Sequence, residues 1–287
     1  MTLTRLLFTF VANLSRVIGC DGIKSHVRRL LVGDENPQSR PSYTHKYAYR
    51  GLVPMEKAIA AIGEELATNR IMHMGKDGHI LTFPVAHGQT MNVVAFRHDP
   101  KDWESDRLVV PTTRAEAKQD FEAWGENVKA IIDLLQDNLD KWGIFDLGDH
   151  PLSYFNKGRI CVAGDAAHAS GPHHGAGAGF CIEDSAVLSE LLHVAWINLH
   201  GRKTRKSKVE VLEDVLTVFD RARRERTQWL VQSSRVTADL YEWRDELCGK
   251  DPVKIKQELL WRNHKIWNVD IEEITGQWNM ELEKMIV

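Results

Sequence analysis

The sequence predicts a mixed α/β fold in which strands and helices alternate along one chain. Residues 42–98 are rich in alternating apolar and polar positions, which is typical of strands. Residues 159–163 read as a short buried strand that leads into a glycine-rich loop and a helix, and residues 209–243 carry apolar positions at helical spacing. The length of 287 residues allows one large or two modest domains.

The composition excludes several classes of protein. With 43% hydrophobic and 27% charged residues the chain is neither collagen-like, coiled-coil nor disordered. A net charge of −3 argues against a nucleic-acid partner, and no apolar run is long enough to form a stable membrane span. The four cysteines form no CxxC pair, which favours a reducing, cytoplasmic location.

The N-terminal sixteen residues have two interpretations. One positive charge precedes a short apolar run, Leu6–Ala12, which weakly resembles a secretory signal. The alternative is a buried strand or an irregular terminus. A strand-like run, Val17–Cys20, follows at once, and we expect the fold to include it.

The β-rich region contains one strong hairpin signal. Asp77-Gly78 lies between the strand-like runs 71–74 and 79–85, and a further strand is expected at 91–96. A helix over about 56–67 interrupts this region. Beyond it, Thr113 and Glu116 have capping-box spacing.

Residues 113–142 are predicted to be helical and divided near Gly125, where a glycine weakens a helix. The tryptophan and phenylalanine side chains of this segment are expected to be core anchors. Its apolar residues recur at steps of three and four: Phe121, Trp124, Val128, Ile131, Ile132, Leu135, Leu139 and Trp142.

The most informative segment is Gly158–Leu192. Its strand ends at Ala163, so Asp165 follows the carboxyl end of a strand, where open α/β sheets bind ligands. Five glycines let the backbone approach a ligand closely, and the helix from about Glu183 to Leu199 favours negative charge at its N-terminus. These features predict a site for a polar ligand.

Three other interpretations of this segment compete with a polar-ligand site. A dinucleotide fingerprint fails because the third glycine of GxGxxG is absent and no acidic residue lies about twenty positions further on. A metal site built from Asp165, His168, His173 and His174 matches no standard zinc spacing. The third interpretation, a glycine-rich connecting loop that binds no ligand, remains open. The basic run at 202–208 is expected to be a solvated loop. The alternative is a nuclear-targeting or membrane-binding signal.

The segment GDAAHASGPHHGAGAG, followed by IEDSAVLSELL, resembles the second FAD-binding motif of FAD-dependent aromatic monooxygenases of the salicylate hydroxylase-like, fungal type. The resemblance implies a partial FAD-binding Rossmann-like domain with a β-sheet substrate domain and C-terminal helices. It implies FAD as the cofactor and NAD(P)H as the co-substrate. Asp165 would hydrogen-bond the ribityl chain, while Pro172, Gly175, Gly177 and Ala178 would lie along the isoalloxazine ring.

Two further segments are similar to the same family. VIGCDGIKSHVRRLL, from residue 17, resembles its DG motif, which implies that Asp21 belongs to the cofactor site and that Ser25 and Arg28 follow on a helix. YAYRGLV, from residue 47, resembles the strand that enters the substrate domain, where an arginine can hold a substrate phenolate. Arg50 is therefore the catalytic candidate, with a structural ion pair as the alternative. Phe83 stands where relatives can carry a tyrosine.

The C-terminal runs at 219–233 and 266–270 also resemble the family, so the resemblance covers about residues 17–275. Four arginines there are expected to form surface and interdomain ion pairs: Arg221, Arg223, Arg224 and Arg226. The implied division is a remnant of the FAD-binding domain, a substrate domain, the second FAD motif and a helical segment, at residues 1–40, 41–150, 151–200 and 201–287.

The family begins with a strand, a GxGxxG turn and a helix that hold the ADP part of FAD. This sequence has no GxGxxG, and sixteen residues precede the DG segment, which leads us to expect a truncated or misannotated reading frame or a natural remnant. The implied activity is hydroxylation, or oxidative dearomatisation, of a small phenolic or aromatic substrate with NAD(P)H and O2. The alternative is a truncated non-catalytic remnant or one part of a split flavoprotein.

Overall fold

The computed structural model describes residues 16–287, so the signal-like run Leu6–Ala12 lies outside the described residues. The predicted mixed α/β class with C-terminal helices is confirmed. The strands are β1 (Val17–Gly19), β2 (Ser42–Pro54), β3 (Ile71–Gly75), β4 (Gly78–Val85), β5 (Thr90–His98), β6 (Val109–Thr113), β7 (Asn138–Asp146), β8 (Asn156–Lys157) and β9 (Ile160–Val162). The α-helices are α1 (His26–Val32), α2 (Met55–Ile62), α3 (Glu64–Thr68), α4 (Arg114–Asp120), α5 (Glu126–Asp133), α6 (Asp165–His168), α7 (Gly177–His200), α8 (Lys208–Tyr241), α9 (Pro252–Trp267) and α10 (Ile271–Ile286).

A small three-stranded sheet has the order β1-β9-β8. β1 and β9 are parallel, with Val17 opposite Ile160 and Gly19 opposite Val162. Because the carboxyl ends of parallel strands meet at one edge, the residues that follow β1 and β9 lie side by side. This pairing joins segments that are distant in the sequence and creates the edge at which the candidate site forms.

The larger sheet is antiparallel, with the order β3-β4-β5-β2-β7-β6. The predicted hairpin is confirmed, but its turn lies one residue earlier than expected, at Lys76 and Asp77, and Asp77 adopts a φ of 58°. Gly78 belongs to β4, where an added Cβ would lie 2.7 Å from the carbonyl oxygen of Phe96. A close backbone approach therefore explains the glycine, rather than the turn itself.

The helical prediction for residues 113–142 is correct only in its first part. α4 and α5 are separated at Gly125 as expected, and the side chain of Thr113 caps α4 by accepting from the amide of Glu116 at 3.3 Å. Residues 138–146, however, form β7 between β2 and β6. Leu139 is still buried, whereas Trp142 is 37% exposed. A three-residue step would keep both residues on one face of a helix, but it places them on opposite faces of a strand, which agrees with their different exposure. Pairing with two neighbouring strands decides for the strand.

The helix expected from about Glu183 begins at Gly177, because the last glycines of the loop fold into its first turn. The helix expected over residues 209–243 matches α8 closely. One hydrophobic core packs the small sheet against α7, α8 and α10. A second core lies between the large sheet and α2, α4 and α5. The predicted division into four segments remains a prediction. Among residues 16–287, no helix is both long and apolar enough to cross a membrane.

Candidate functional site

A cleft of about 290 Å³ opens at the carboxyl ends of β1 and β9 and beside the first turns of α7. It lies between the DG segment and the glycine-rich segment, which sequence analysis had singled out separately. Its walls are formed by Cys20, Gly22, Ala163, Gly164, Asp165, Cys181, Asp184, Ser185 and Leu188.

Asp165 is the first residue of α6, and its side chain is exposed in the cleft. Within residues 16–287 its carboxylate has no hydrogen-bond partner. Gly164, which precedes it, adopts a φ of 61°, and an added Cβ would lie 3.2 Å from the Sγ atom of Cys181. The strand-to-helix turn therefore requires glycine and directs an unpaired carboxylate into open space.

Behind the turn, Asp184 forms a buried network. Its Oδ2 atom accepts from the Gly164 amide at 2.8 Å and lies 2.7 Å from Nε2 of His168, while Oδ1 accepts from Nε of Arg223 at 2.7 Å. Burial acts to raise the pKa of Asp184, but the bonds and charges of His168 and Arg223 outweigh it and hold that pKa below its ordinary value. The network fixes the backbone on which Asp165 stands.

The neighbouring acid, Glu183, pairs with Arg226 through two contacts of 2.8 and 2.9 Å and with Arg223 at 2.8 Å. The acidic pair thus anchors α7 to α8. The predicted arginine ion pairs are present, but they differ in position: Arg221 lies 3.6 Å from Glu281 at the surface, whereas the side chain of Arg223 is fully buried. The burial of Arg223 is not predictable from the sequence, because spacing on α8 alone does not reveal which arginine faces the loop.

The residues expected along the flavin ring form an exposed rim. Pro172 starts a single 3-10 turn (Pro172–His174), Gly175 follows with a φ of 64°, and Gly177 and Ala178 open α7. Pro172, Gly175 and Ala178 are exposed, and no side chain caps the first amides of α7. An added Cβ on Gly175 or Gly179 would meet no atom within 4 Å. The rim therefore offers free amides and space to a flat ligand.

Asp21 lies beside the cleft, but its carboxylate is engaged locally. It accepts from the hydroxyl of Ser25 and from the amides of His26 and Val27, at 2.7 and 3.1 Å. Partial burial acts to raise the pKa of Asp21, but these bonds hold it below its ordinary value. Asp21 thus organises the start of α1, next to Gly22, which lines the cleft with a φ of 78°.

Arg28 is fully buried and joins α1 to the GDAAH segment. Its guanidinium donates to the carbonyl oxygens of Ile23, Ser39 and Ala166, at 2.5, 3.2 and 3.0 Å. Burial lowers the pKa of Arg28 to about 10, and within the described residues no carboxylate forms a salt bridge with it. It holds the DG and GDAAH segments together.

Arg50 lies apart from this cleft, exposed on β2 with its guanidinium carbon 5.0 Å from the ring centroid of Trp142. The register of β2, β5 and β4 places Arg50 opposite Val94, and Val94 opposite Leu81, so Phe83 lies on the same face of the sheet as Arg50. The face carries an aromatic surface with one cation, but the structure does not bring Arg50 and Asp165 into one cavity.

The histidines of the glycine-rich loop have separate surroundings. Nε2 of His174 lies 2.9 Å from the hydroxyl of Ser233 and 3.0 Å from that of Thr237, while His168 bonds Asp184. In the part of the chain that the structure describes, no three His, Cys, Asp or Glu residues form a metal-binding group.

A buried cluster that sequence analysis did not identify lies where the loop meets the large sheet. Glu242, which ends α8, is fully buried and lies 2.7 Å from Nζ of Lys46 and 3.2 Å from Nδ1 of His79. The ring centroid of His79 lies 5.3 Å from that of His173. Neither spacing nor composition marks these residues, because they come from four distant segments.

Residues 14–201 match the family described as FAD binding domain. The chain belongs to this FAD-binding family. The predicted resemblance to salicylate hydroxylase-like FAD-dependent monooxygenases, the FAD cofactor and the membership of a family of enzymes are confirmed, and NAD(P)H is the co-substrate typical of that family.

Similar proteins include the FAD-dependent monooxygenase pigN of Monascus ruber, 50% identical over 264 residues, which are 92% of this chain and 60% of the relative. The salicylate hydroxylase asL1 of Sarocladium schorii is 40% identical over 280 residues, or 95% of this chain and 58% of the relative. A salicylate hydroxylase substrate complex is similar in structure, with a TM-score of 0.81, 33% identity, and coverage of 92% of this chain and 64% of the other. The chain thus spans about 60% of the length of the curated relatives it matches.

Proposed function

We propose that this chain binds the flavin part of FAD and takes part in NAD(P)H- and O2-dependent hydroxylation of a small phenolic or aromatic substrate, with oxidative dearomatisation as a variant of that reaction. The observation that carries the proposal is the pairing of the unbonded Asp165 carboxylate with the uncapped N-terminus of α7 at one edge of the parallel strands. Similarity to fungal FAD-dependent monooxygenases supports the reaction class.

The residues present fit FAD. Hydroxyl groups of a ribityl chain can donate to the Asp165 carboxylate, which has no other partner within residues 16–287. The exposed rim at Pro172, Gly175, Gly177 and Ala178 offers a flat surface free of bulky side chains. The first amides and the positive dipole end of α7, a helix of 24 residues, would stabilise negative charge on a bound ring. When bound, FAD supplies the hydride and oxygen chemistry, and the protein supplies orientation and electrostatics.

The DG segment supports the approach of a phosphate-bearing co-substrate. Beside α1 a cavity of about 370 Å³ is lined by Lys24, Arg28, Arg29 and Arg40, with Asp106 as the acid of the wall. The guanidinium of Arg40 has no partner among the described residues. We propose that this basic wall attracts the phosphates of NAD(P)H, and that Asp21 contributes by holding the first turn of α1 in place.

For the substrate we propose that Arg50 binds a phenolate oxygen on the open face of the large sheet. A guanidinium stacked on Trp142 is held in place while its donors remain available. Phe83, on the same face, supplies an aromatic surface for the ring of the substrate. A cytoplasmic location is proposed from the four free thiols.

The deciding experiment is a titration of the purified chain with FAD, followed by flavin absorbance and fluorescence. Saturable binding with an altered flavin spectrum supports the proposal. A folded chain that leaves the flavin spectrum unchanged at millimolar FAD would contradict it, and would favour the non-catalytic alternative. NADPH oxidation in the presence of FAD and salicylate then tests whether the chain acts alone.

A further inference from the structure

The basic run at residues 202–208 connects α7 to α8 and has no part in the proposed function. Lys206 of this run is paired with Asp214 at 2.7 Å. The other basic side chains of the run are exposed and form no salt bridge within residues 16–287: Arg202, Lys203, Arg205 and Lys208. The run therefore presents a group of unpaired positive charges at one end of the molecule.

A second segment adds cations to the same end. Lys157 and Arg159, in the turn between β8 and β9, are exposed and also have no salt bridge among the described residues. Arg16 joins the two segments, because its side chain donates to the carbonyl oxygen of Val209 and the next amide, that of Val17, donates to the carbonyl oxygen of Arg159 at 2.9 Å. We call the six exposed cations the basic pole: Lys157, Arg159, Arg202, Lys203, Arg205 and Lys208.

The acids closest to the basic pole in the sequence are already engaged. The first two turns of α8 hold three acids, and each has a partner: the Ser207 amide for Glu210 at 2.7 Å, Arg16 for Glu213 at 3.3 Å and Lys206 for Asp214 at 2.7 Å. The positive charge of the pole is therefore concentrated on a chain whose net charge is −3. Such a concentration fits an anionic partner.

Apolar side chains lie beside these cations. Trp196, in the last turns of α7, is 56% exposed, and its ring lies between those of His193 and His200, with centroids 6.4 and 4.6 Å away. Ile197 and Val209 are exposed on either side of the basic run. Tryptophan combines an apolar ring with a polar N–H group and favours the interface between membrane and water. Exposed apolar groups flanked by lysine and arginine are typical of surfaces that bind anionic lipid.

The backbone of the basic run is held in place. The Lys203 amide donates to the carbonyl oxygen of Asn198 at 3.0 Å, and the Lys206 amide donates to the hydroxyl of Thr204 at 3.1 Å. Ser207 then caps α8 with a complete capping box. A targeting signal that is read as an extended peptide would have to break these contacts, whereas a lipid surface can bind the side chains as they stand.

We propose that the basic pole and Trp196 form a docking surface for a bilayer that contains anionic phospholipid. The cations contact the headgroups, and Trp196 enters the interface together with Ile197 and Val209. α7 begins at the cofactor cleft and ends at this surface, and its 24 residues span about 36 Å. Docking therefore leaves the cleft open, and the surface does not depend on the proposed function.

The test is co-sedimentation of the purified chain, without FAD, with phosphatidylcholine vesicles that contain about 30% phosphatidylserine or none. The pole variant carries Arg202→Gln, Lys203→Gln, Arg205→Gln and Lys208→Gln. The matched control replaces by glutamine four exposed cations outside the pole, which have no salt bridge within residues 16–287: Lys57, Arg70, Lys101 and Lys256. Both variants lose four positive charges, so the comparison isolates the position of the charge from the net charge.

We expect the unmodified chain to bind the anionic vesicles and not the pure phosphatidylcholine vesicles. The pole variant should bind at least about tenfold more weakly, because each cation close to an anionic surface contributes to binding, while the matched control binds like the unmodified chain. Raising NaCl from about 50 to about 300 mM should weaken binding, since salt screens these charges. Trp196→Gln should weaken binding about threefold or more, and Trp267→Gln, which replaces a tryptophan 62% exposed on α9, should not.

No binding to the anionic vesicles, or an equal loss in the pole variant and the matched control, would overturn the inference. Tighter binding to a DNA duplex than to the vesicles would also overturn it, because a nucleic-acid site would then account for the cations. If the pole variant fails to fold, equal binding by Trp196→Gln and Trp267→Gln would overturn it. The FAD titration fails or succeeds separately, since the vesicle assay contains no flavin.

Discussion

Replacement of Arg223 by methionine tests the network that holds the GDAAH turn. The change removes the contacts of the buried guanidinium with Asp184 at 2.7 Å, with Glu183 at 2.8 Å and with the carbonyl oxygen of Phe180 at 3.3 Å. Breaking a buried ion pair costs about 3–5 kcal/mol, since a buried charge loses its partner. Asp184 keeps its contacts with His168 and the Gly164 amide, so we expect the free energy of unfolding to fall by about 3 kcal/mol.

The loss is measured by urea unfolding at pH 7, followed by far-UV circular dichroism. Arg221→Met is the matched control two residues away on α8, because Arg221 is half-exposed and lies 3.6 Å from Glu281. It should cost at most about 1 kcal/mol. If Arg223→Met falls within 1 kcal/mol of the unmodified chain, or if both variants lose the same amount, the network does not anchor the turn as reasoned.

The pH dependence gives a second test of the same network. The pKa of Asp184 is lower in the folded than in the unfolded chain, so its stabilisation is fully present above the unfolded value of about 4 and is lost as the pH falls through the folded value. The difference in unfolding free energy between the unmodified chain and Arg223→Met should therefore become smaller as the pH falls below about 4. A difference that stays constant down to pH 2 would contradict the assignment.

Three further predictions follow from single contacts. Gly19→Ala should cost about 1–3 kcal/mol in urea unfolding, because its Cβ would lie 2.4 Å from that of Val27; a loss below 0.5 kcal/mol would contradict the close packing of β1 on α1. Arg50→Met should weaken binding of a phenolate probe about tenfold and leave the unfolding free energy within 0.5 kcal/mol, since Arg50 is exposed beside Trp142; a large loss of stability would indicate a structural arginine. The contact with His79 and the charge of Lys46 outweigh burial and lower the pKa of Glu242 from 4.5 to about 2. Its stabilisation is therefore present above pH 4.5 and is lost between about pH 4.5 and 2, and the urea midpoint of Glu242→Gln should lack this pH-dependent component.

The parts of the fold that sequence analysis predicted depend on local signals. The hairpin at Asp77-Gly78, the strand before Asp165 and the long helix α8 each follow from spacing, glycines or apolar periodicity within one segment. The prediction of a helix at β7 is wrong, because Leu139 and Trp142 stand at a helical step of three although they lie on opposite faces of the strand. Only its two neighbouring strands, which come from elsewhere in the chain, decide between helix and strand.

Some residues of the candidate site could likewise be predicted from local motifs, and others could not. The turn at Gly164-Asp165 and the rim at Pro172 could be located from the motif, because the chemistry lies in consecutive residues. The burial of Arg28 and Arg223 could not be predicted, since their partners are carbonyl groups and carboxylates from distant segments. The buried cluster of Glu242 and His79 could not be predicted for the same reason, because only the tertiary fold brings these side chains together.

The most direct test of the central claim is FAD affinity with and without the Asp165 carboxylate. Loss of a hydrogen bond to a charged group costs about 1.5–3 kcal/mol, so Asp165→Ala should weaken FAD binding about 10- to 100-fold without lowering stability. Asp102→Ala, which removes a carboxylate that is 97% exposed on another loop, should bind FAD like the unmodified chain. Unchanged FAD affinity in Asp165→Ala would contradict the assignment of this cleft to the flavin.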